Sequence, residues 1–190
     1  HFAVDDNGVY FCTKLSGDSS WFLPFNKRFQ NGGGNPPNPN GIKTDYLWKI
    51  ILEKRELTNI IENYAQLVVE QDEETKKRKE KQIFPRYHQW DVVKKLLADV
   101  YDNGVGKKYL IQHSAGSGKS NSIAWTAHQL VALEKEGKNL VDSVIIVTDR
   151  VILDKQIRDT IKQFMEVSST VGHAESAGDL ARLIREEEKI

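Results

Sequence analysis

A glycine-rich stretch at residues 112–122, QHSAGSGKSNS, contains the residue types that bind the phosphates of a nucleotide. Gly116 and Gly118 permit a tight turn and keep Cβ atoms away from an anion, so the N–H groups of 116–120 can point inward around it. Lys119 would reach the β- and γ-phosphates, and the hydroxyl of Ser120 would bind Mg²⁺, which makes these two the predicted catalytic residues. The predicted binding residues are Ser114, Ala115, Gly116, Ser117, Gly118, Lys119, Ser120 and Asn121.

The spacing departs from the commonest phosphate-binding motif, G-x-x-x-x-G-K-[ST], because His113 occupies the position of its first glycine. The stretch instead has the G-x-G-K-S form seen in helicases. The alternative is an ordinary glycine-rich turn with Lys119 exposed to solvent. A short apolar strand pattern before the stretch and an amphipathic helix pattern after it favour the phosphate-binding interpretation.

An aromatic residue followed by a glutamine lies upstream, in FPRYHQWD at residues 84–91. The amide of Gln89 carries donors and an acceptor that can pair with N6 and N7 of adenine, and Phe84 or Tyr87 can stack on the base. The alternative is structural, with Gln89 capping a helix and Phe84 in the core. Since helicase-type motors select ATP with such an element, Phe84 and Gln89 are predicted to bind the adenine of ATP.

A third candidate site follows in TDRVILDKQ, residues 148–156. Thr148 and Arg150 would lie at the carboxyl end of a parallel strand, where ligands bind in open α/β sheets. A hydroxyl, a guanidinium and a helix N-terminus suit a nucleic-acid phosphate, so Thr148 and Arg150 are predicted nucleic-acid contacts. The alternative is a helix capped by Asp149.

Alternating strand and helix patterns position these sites. Their order predicts right-handed crossovers and a parallel sheet with flanking helices, an α/β fold. The predicted strands are 108–113, 143–148 and 167–171, and the predicted helices are 88–103, 120–136, 150–164 and 177–188.

The N-terminal part has a different pattern. Residues 1–25 predict β-structure, with a hairpin at Asn7-Gly8. Residues 31–41, NGGGNPPNPNG, predict a loop, either a linker or a shaped loop against a neighbouring domain. Thr44 is predicted to cap the helical segments that follow, up to Tyr64. The charged run at 70–82 predicts a solvated helix or linker, in which Glu74-Thr75-Lys76 matches a nuclease E-x-K only by chance.

Composition bounds the possible functions. Lys plus Arg equals Asp plus Glu, 27 each, so the whole chain offers no net basic field to nucleic acid. The single cysteine, Cys12, excludes an internal disulfide framework and suits a reducing compartment. No apolar run is long enough to predict a membrane span. The chain begins in a strand pattern, as if cut from a longer protein.

These segments together resemble the restriction (R) subunit of type I restriction-modification enzymes, whose motor belongs to helicase superfamily 2. The resemblance rests on HFAVDDNGVYFCTKL, WFLPFNKR and GGGNPPNPNGIKTDYLW in the N-terminal part, and on FPRYHQ, QHSAGSGKSNSIAW and VIIVTDRVILDKQ in the rest. It therefore spans nearly all of the chain.

The resemblance implies a subunit that couples ATP hydrolysis to translocation of double-stranded DNA and to cleavage at distant positions. Residues 1–64 would be the end of the nuclease domain and its connection, 65–83 a charged linker or helix, and 84–190 the first half of a RecA-like lobe. The implied partners are double-stranded DNA and the methyltransferase and specificity subunits, in a bacterial or archaeal cytoplasm, with no membrane.

The departures from that family predict an internal fragment. The 190 residues contain no D-E-x-H motif and no nuclease Asp with E-x-K on a strand, so we expect weak ATP binding and no turnover by this chain alone. Three rival interpretations are a type III restriction or repair helicase, another P-loop protein, and a nucleotide-gated interaction module without turnover. A switch GTPase would need an N-K-x-D element, which is absent.

Overall fold

The computed structural model describes residues 1–71, 78–149, 157–162 and 171–186 of the chain. The chain divides into two units, His1–Trp90 and Asp91–Ile190. The predictions made for Arg150, for residues 74–76 and for most of 167–171 concern positions outside the described residues and stay predictions.

An antiparallel sheet opens the first unit, as the sequence predicts. Strand β1 (Phe2–Val4) pairs with β2 (Val9–Phe11), and β2 pairs on its other side with β3 (Leu23–Pro24). Val9 and Phe11 are buried while Tyr10 between them is exposed, so the sheet buries one face.

The turn between β1 and β2 differs from the predicted two-residue Asn-Gly turn. It runs from Asp5 to Gly8, because Val4 is the residue opposite Val9. The carboxylate of Asp5 accepts the N–H groups of Asn7 and Gly8, both at 2.8 Å. These hydrogen bonds stabilise the longer turn, and they hold the pKa of Asp5 below its usual range.

The loop at 31–41 is a shaped loop, and the side chain of Asn35 fixes it inside the first unit. Its Oδ1 accepts the N–H of Lys27 at 2.8 Å, and its Nδ2 donates to the carbonyl of Asn7 at 3.0 Å and to Oδ1 of Asn26 at 2.9 Å. Asn26 Oδ1 also accepts the N–H of Val9 at 2.9 Å. Because Asn35 is buried, the protein supplies the hydrogen bonds that water cannot.

Thr44 does not cap a helix, which corrects the sequence prediction. It is fully buried, and its hydroxyl donates to the carbonyl of Asp5 at 2.6 Å. The predicted helical region contains a π-helical segment, Leu47–Ile51, and helix α1, Lys54–Asn63. The side chain of Glu53 caps α1 by accepting the N–H groups at its start.

The described residues of the charged run after α1 form strands, not the predicted helix or linker. Strands β4 (Gln66–Gln71) and β5 (Arg78–Ile83) form an antiparallel ladder from Gln66 opposite Ile83 to Gln71 opposite Arg78. Val68 is buried and Leu67 is exposed, so β4 has the period of two that burial of one face requires. The predicted helix or linker was wrong because the many charged residues obscure the few apolar residues whose alternation indicates a strand.

An aromatic cluster fills the core of the first unit. Neighbouring ring centroids lie 5.2 to 6.3 Å apart, mostly in edge-on or tilted arrangements. Its members are Phe2, Phe11, Phe25, Tyr46, Phe84, Tyr87 and Trp90.

The helices after residue 84 agree with the sequence pattern. They are α2 (Tyr87–Asn103), α3 (Lys119–Val131), a helical segment at 157–162, and α4 (Ala177–Arg185), which Ser176 caps. Helix α3 ends earlier than predicted, since β6 (Glu134–Lys135) and β7 (Lys138–Asn139) form a small hairpin after it. None of the helices in the described ranges is long and apolar enough to cross a membrane.

The predicted buried strands 108–113 and 143–148 are wrong in this structure. Both segments lack strand hydrogen bonding, and the named strands of the described residues pair only in antiparallel sheets. Leu110 is 94% exposed and Val147 is 87% exposed. The apolar composition predicted the burial of both segments, but a buried parallel sheet also needs neighbouring strands to complete its hydrogen bonds.

We predict that Asn35→Ala lowers the free energy of unfolding by roughly 2–3 kcal/mol, because it leaves several buried polar groups without partners. Chemical denaturation followed by tryptophan fluorescence measures this. Asn40→Ala in the same loop is the control, since the exposed side chain of Asn40 makes no hydrogen bond to any residue that the structure describes. Its effect should stay within about 0.5 kcal/mol. Equal effects of the two variants would show that Asn35 does not fix the loop.

Candidate nucleotide-binding site

The glycine loop, residues 114–118, connects the extended segment 108–113 to helix α3. Gly116 has φ 68° and Gly118 has φ 80°, both in the left-handed region that favours glycine. The N–H of Ser117 donates to the carbonyl of Ser114 at 3.4 Å, which closes the turn. No atom lies within 4 Å of the place where a Cβ of Gly116 would stand, so a ligand can approach this backbone closely.

Lys119 points back over the glycine loop. Its Nζ donates to the carbonyl of Ser114 at 2.9 Å and reaches the carbonyl of His113 at 3.4 Å. Both acceptors are neutral, and Lys119 makes no ion pair within the described residues. An anionic phosphate above the loop would therefore be a stronger partner for this ammonium than the two carbonyls are.

The start of α3 adds further groups for an anion. Lys119 and Ser120 are its first residues, and the first N–H groups of a helix have no intrahelical acceptor. Asn121 and Ser122 both donate their N–H groups to the carbonyl of Gly118. The N-terminal end of the helix dipole favours negative charge at this position.

These groups fit a nucleotide with Mg²⁺. A lysine ammonium, backbone N–H groups and an open glycine backbone form a donor set for phosphate oxygens, and the hydroxyl of Ser120 is one oxygen ligand for the metal. Within the described residues, no cluster of three His, Cys, Asp or Glu side chains could hold a metal ion by itself. A magnesium ion here would take further ligands from the phosphates and from water.

Phe84 and Gln89 have structural contacts in the first unit. Phe84 packs in the aromatic cluster against Phe2, Phe11 and Phe25. Gln89 is buried, and its Oε1 accepts the N–H of Arg86 at 2.8 Å at the start of α2. These contacts give both side chains a role in packing or helix capping. They do not test adenine binding, which stays a prediction.

Thr148 follows the second extended segment and is half-buried. Its predicted partner, Arg150, lies outside the described residues, so the proposed nucleic-acid contact stays a prediction for both.

Sequence reasoning missed Asp99, which fastens the segment that leads into the glycine loop. Asp99 accepts hydrogen bonds from Lys107 Nζ at 2.7 Å and from the Tyr109 hydroxyl at 2.5 Å, and Nδ2 of Asn103 donates to it at 2.8 Å. The bond to Lys107, followed by that to Tyr109, lowers the pKa of Asp99. The only signal in the sequence was the spacing of Asp99 and Asn103 on one helix face.

A cavity of about 250 Å³ lies between helices α2 and α3 and the two extended segments, 108–113 and 143–148. Ile111 and His113 line it from the first segment, and Val144 and Ile146 line it from the second. Ile145 and Val147 face away and are exposed. Both segments therefore keep the alternation of a strand, with one face toward the helix that carries Lys119.

Helix α3 buries one face. Ala124, Trp125 and Ala127 are buried on it, whereas Ile123 is exposed. Trp125 thus anchors the helix that presents Lys119 and Ser120.

Comparison with known proteins identifies one family. The SWI2/SNF2 ATPase family profile matches residues 88–190, which include α2 from its second residue, the glycine loop and α3 and make up more than half of the chain. Neither the curated proteins nor the solved structures contain a match to this chain.

We predict that Asp99→Asn lowers the melting temperature at pH 6 and lowers it by less at pH 3. The folded pKa of Asp99 is depressed, so its stabilising charge is present above the ordinary aspartate pKa of about 4 and is lost as the pH falls through the folded value. Asp102→Asn, on the same helix, is the matched control. A difference between wild type and Asp99→Asn that persists undiminished at pH 3 would contradict this role.

Proposed function

The chain belongs to the SWI2/SNF2 ATPase family of ATP-dependent, helicase-like motors, and from this we propose that its glycine loop binds ATP with Mg²⁺. The observation that carries the proposal is the position of Lys119, whose ammonium lies over a loop built from two left-handed glycines. Backbone N–H groups, ammonium and helix N-terminus then converge on one anion.

Each residue has a separate task in this proposal. Gly116 and Gly118 bring the backbone close to the phosphates, Lys119 neutralises charge on the β- and γ-phosphates, and Ser120 binds Mg²⁺. ATP supplies a phosphoanhydride bond whose hydrolysis can drive motion. Asp99 holds the preceding segment so that the glycine loop starts from a fixed position.

We further propose that the complete protein is the restriction subunit of a type I restriction-modification enzyme, which translocates double-stranded DNA and cleaves it. The support is the N-terminal block with LPFNK and GGGNPPNPNGIKTDYLW, which general helicases lack. In the structure this block folds together with FPRYHQ, since Phe84 packs against Phe2, Phe11 and Phe25. In this proposal the first unit connects a nuclease to the motor, which is a RecA-like lobe.

The proposed partners follow from that role. They are double-stranded DNA, with Thr148 and Arg150 as backbone contacts, and methyltransferase and specificity subunits in a bacterial or archaeal cytoplasm. The alternatives are a translocase of another superfamily 2 class and a nucleotide-gated interaction module. A module of that kind would bind ATP, and binding would order residues 112–122 and slow their hydrogen exchange. It would not acquire ATPase activity when joined to a D-E-x-H segment.

We predict that Lys119→Ala weakens binding of ATP·Mg²⁺ by roughly tenfold or more, since it removes a charge-assisted contact to the phosphates. Isothermal titration calorimetry on the 190-residue chain measures this, and binding by the wild type should itself be weak. Lys108→Ala is the matched control, because that lysine is exposed and precedes the glycine loop.

Two results would overturn the proposal for the glycine loop. One is ATP affinity that is equal in wild type and Lys119→Ala. The other is steady ATP hydrolysis by these 190 residues that survives Lys119→Ala. We expect no turnover, because the chain has no D-E-x-H motif to orient the attacking water.

A further inference from the structure

The cavity between helices α2 and α3 and the segments 108–113 and 143–148 has walls that are mostly apolar. Both helices and both segments contribute to these walls, with Val92, Leu96, Ile111, Ala127, Val144 and Ile146. Its volume of about 250 Å³ exceeds the roughly 150 Å³ of an apolar protein cavity that holds benzene. The cavity is therefore large enough for a single ring with a small substituent.

A buried hydroxyl borders this cavity. Ser122 lines it and is 8% exposed, and its Oγ makes no hydrogen bond in the part of the chain that the structure describes. The acceptor that a serine in a helix commonly uses is the carbonyl four residues earlier, which is that of Gly118 here. That carbonyl already accepts the N–H groups of Asn121 and Ser122. The hydroxyl of Ser122 is therefore left for a ligand.

A second hydroxyl lies one helical turn further along α3. Thr126 also lines the cavity, and its Oγ1 donates to the carbonyl of Ser122 at 2.7 Å. Because that bond uses its hydrogen, Thr126 Oγ1 can only accept a further bond from a ligand. Residues four apart are neighbours on a helix surface, with about 5–6 Å between their Cβ atoms. One ligand group can therefore reach both hydroxyls.

A hydroxyl group on the ligand matches both side chains. It would accept the hydrogen of Ser122 Oγ and donate its own hydrogen to Thr126 Oγ1. A water molecule offers the same two bonds, but it needs more polar partners than these walls supply, and apolar cavities of this kind stay dry. An apolar ring attached to the hydroxyl would contact the walls that water leaves uncovered.

We propose that this cavity binds a small uncharged molecule made of one apolar ring and one hydroxyl group, with Ser122 and Thr126 as its hydrogen-bonding partners. Lys119 also lines the cavity, but its ammonium is turned to the carbonyls of Ser114 and His113. The two hydroxyls belong to α3 beyond the residues assigned to ATP. The proposal therefore does not depend on ATP binding by the glycine loop.

The first test uses para-cresol as the probe and toluene as its analogue without a hydroxyl. NMR follows the isotope-labelled methyl groups of isoleucine and valine in the 190-residue chain while each compound is added. Para-cresol should shift the signals of Ile111, Val144 and Ile146 until they saturate, since these side chains line the cavity. Ser122→Ala should weaken the binding of para-cresol by about tenfold and leave the binding of toluene unchanged.

Two further variants extend this test. Thr126→Val removes the acceptor and nearly keeps the shape of the side chain, so it should also weaken para-cresol binding without affecting toluene. Thr58→Val is the matched control, because Thr58 of α1 makes the same kind of bond to a carbonyl four residues earlier and lies in the first unit. It should change the affinity for neither compound.

Three results contradict the proposal. One is the absence of saturable shifts at Ile111, Val144 and Ile146. Another is that Ser122→Ala and Thr126→Val weaken both compounds equally, or weaken neither. The third is competitive displacement of para-cresol by ATP·Mg²⁺, which would place the ring in the nucleotide site. A chain that binds para-cresol but not ATP would support this proposal and overturn only the one for the glycine loop.

Discussion

The backbone torsion at Gly118 is the constraint on which the candidate nucleotide site depends. Its φ of 80° ends the glycine loop and starts α3 in the next residue. Because the helix begins at Lys119, the side chain of that lysine can turn back over the loop to the carbonyls of Ser114 and His113. A residue with a Cβ would be strained at this φ, so the direction of the ammonium depends on a glycine rather than on any contact of the lysine itself.

The elements that carry the site were predictable where the information is local. The glycine spacing predicted the turn, and the apolar periodicity predicted α2, α3 and α4 to within a few residues. The strand predictions failed at 108–113 and 143–148, since the alternation of Ile111, Val144 and Ile146 shows which face is inward but not which backbone pairs with it. Hydrogen bonding between strands needs two segments in register, whereas the apolar periodicity is read from a single segment.

The first unit shows the same limit in its polar contacts. The Asn-Gly signal correctly indicated a hairpin, but the carboxylate of Asp5 lengthened its turn. Thr44 is a residue type that often caps helices, yet its hydroxyl donates a hydrogen bond to the carbonyl of Asp5, which is distant in sequence. Hydroxyl and amide side chains can form hydrogen bonds of similar energy with several partners. Tertiary packing decides which backbone group lies near enough to be the partner. Asn35 is the strongest case, because the composition of its loop left a linker and a shaped loop equally open.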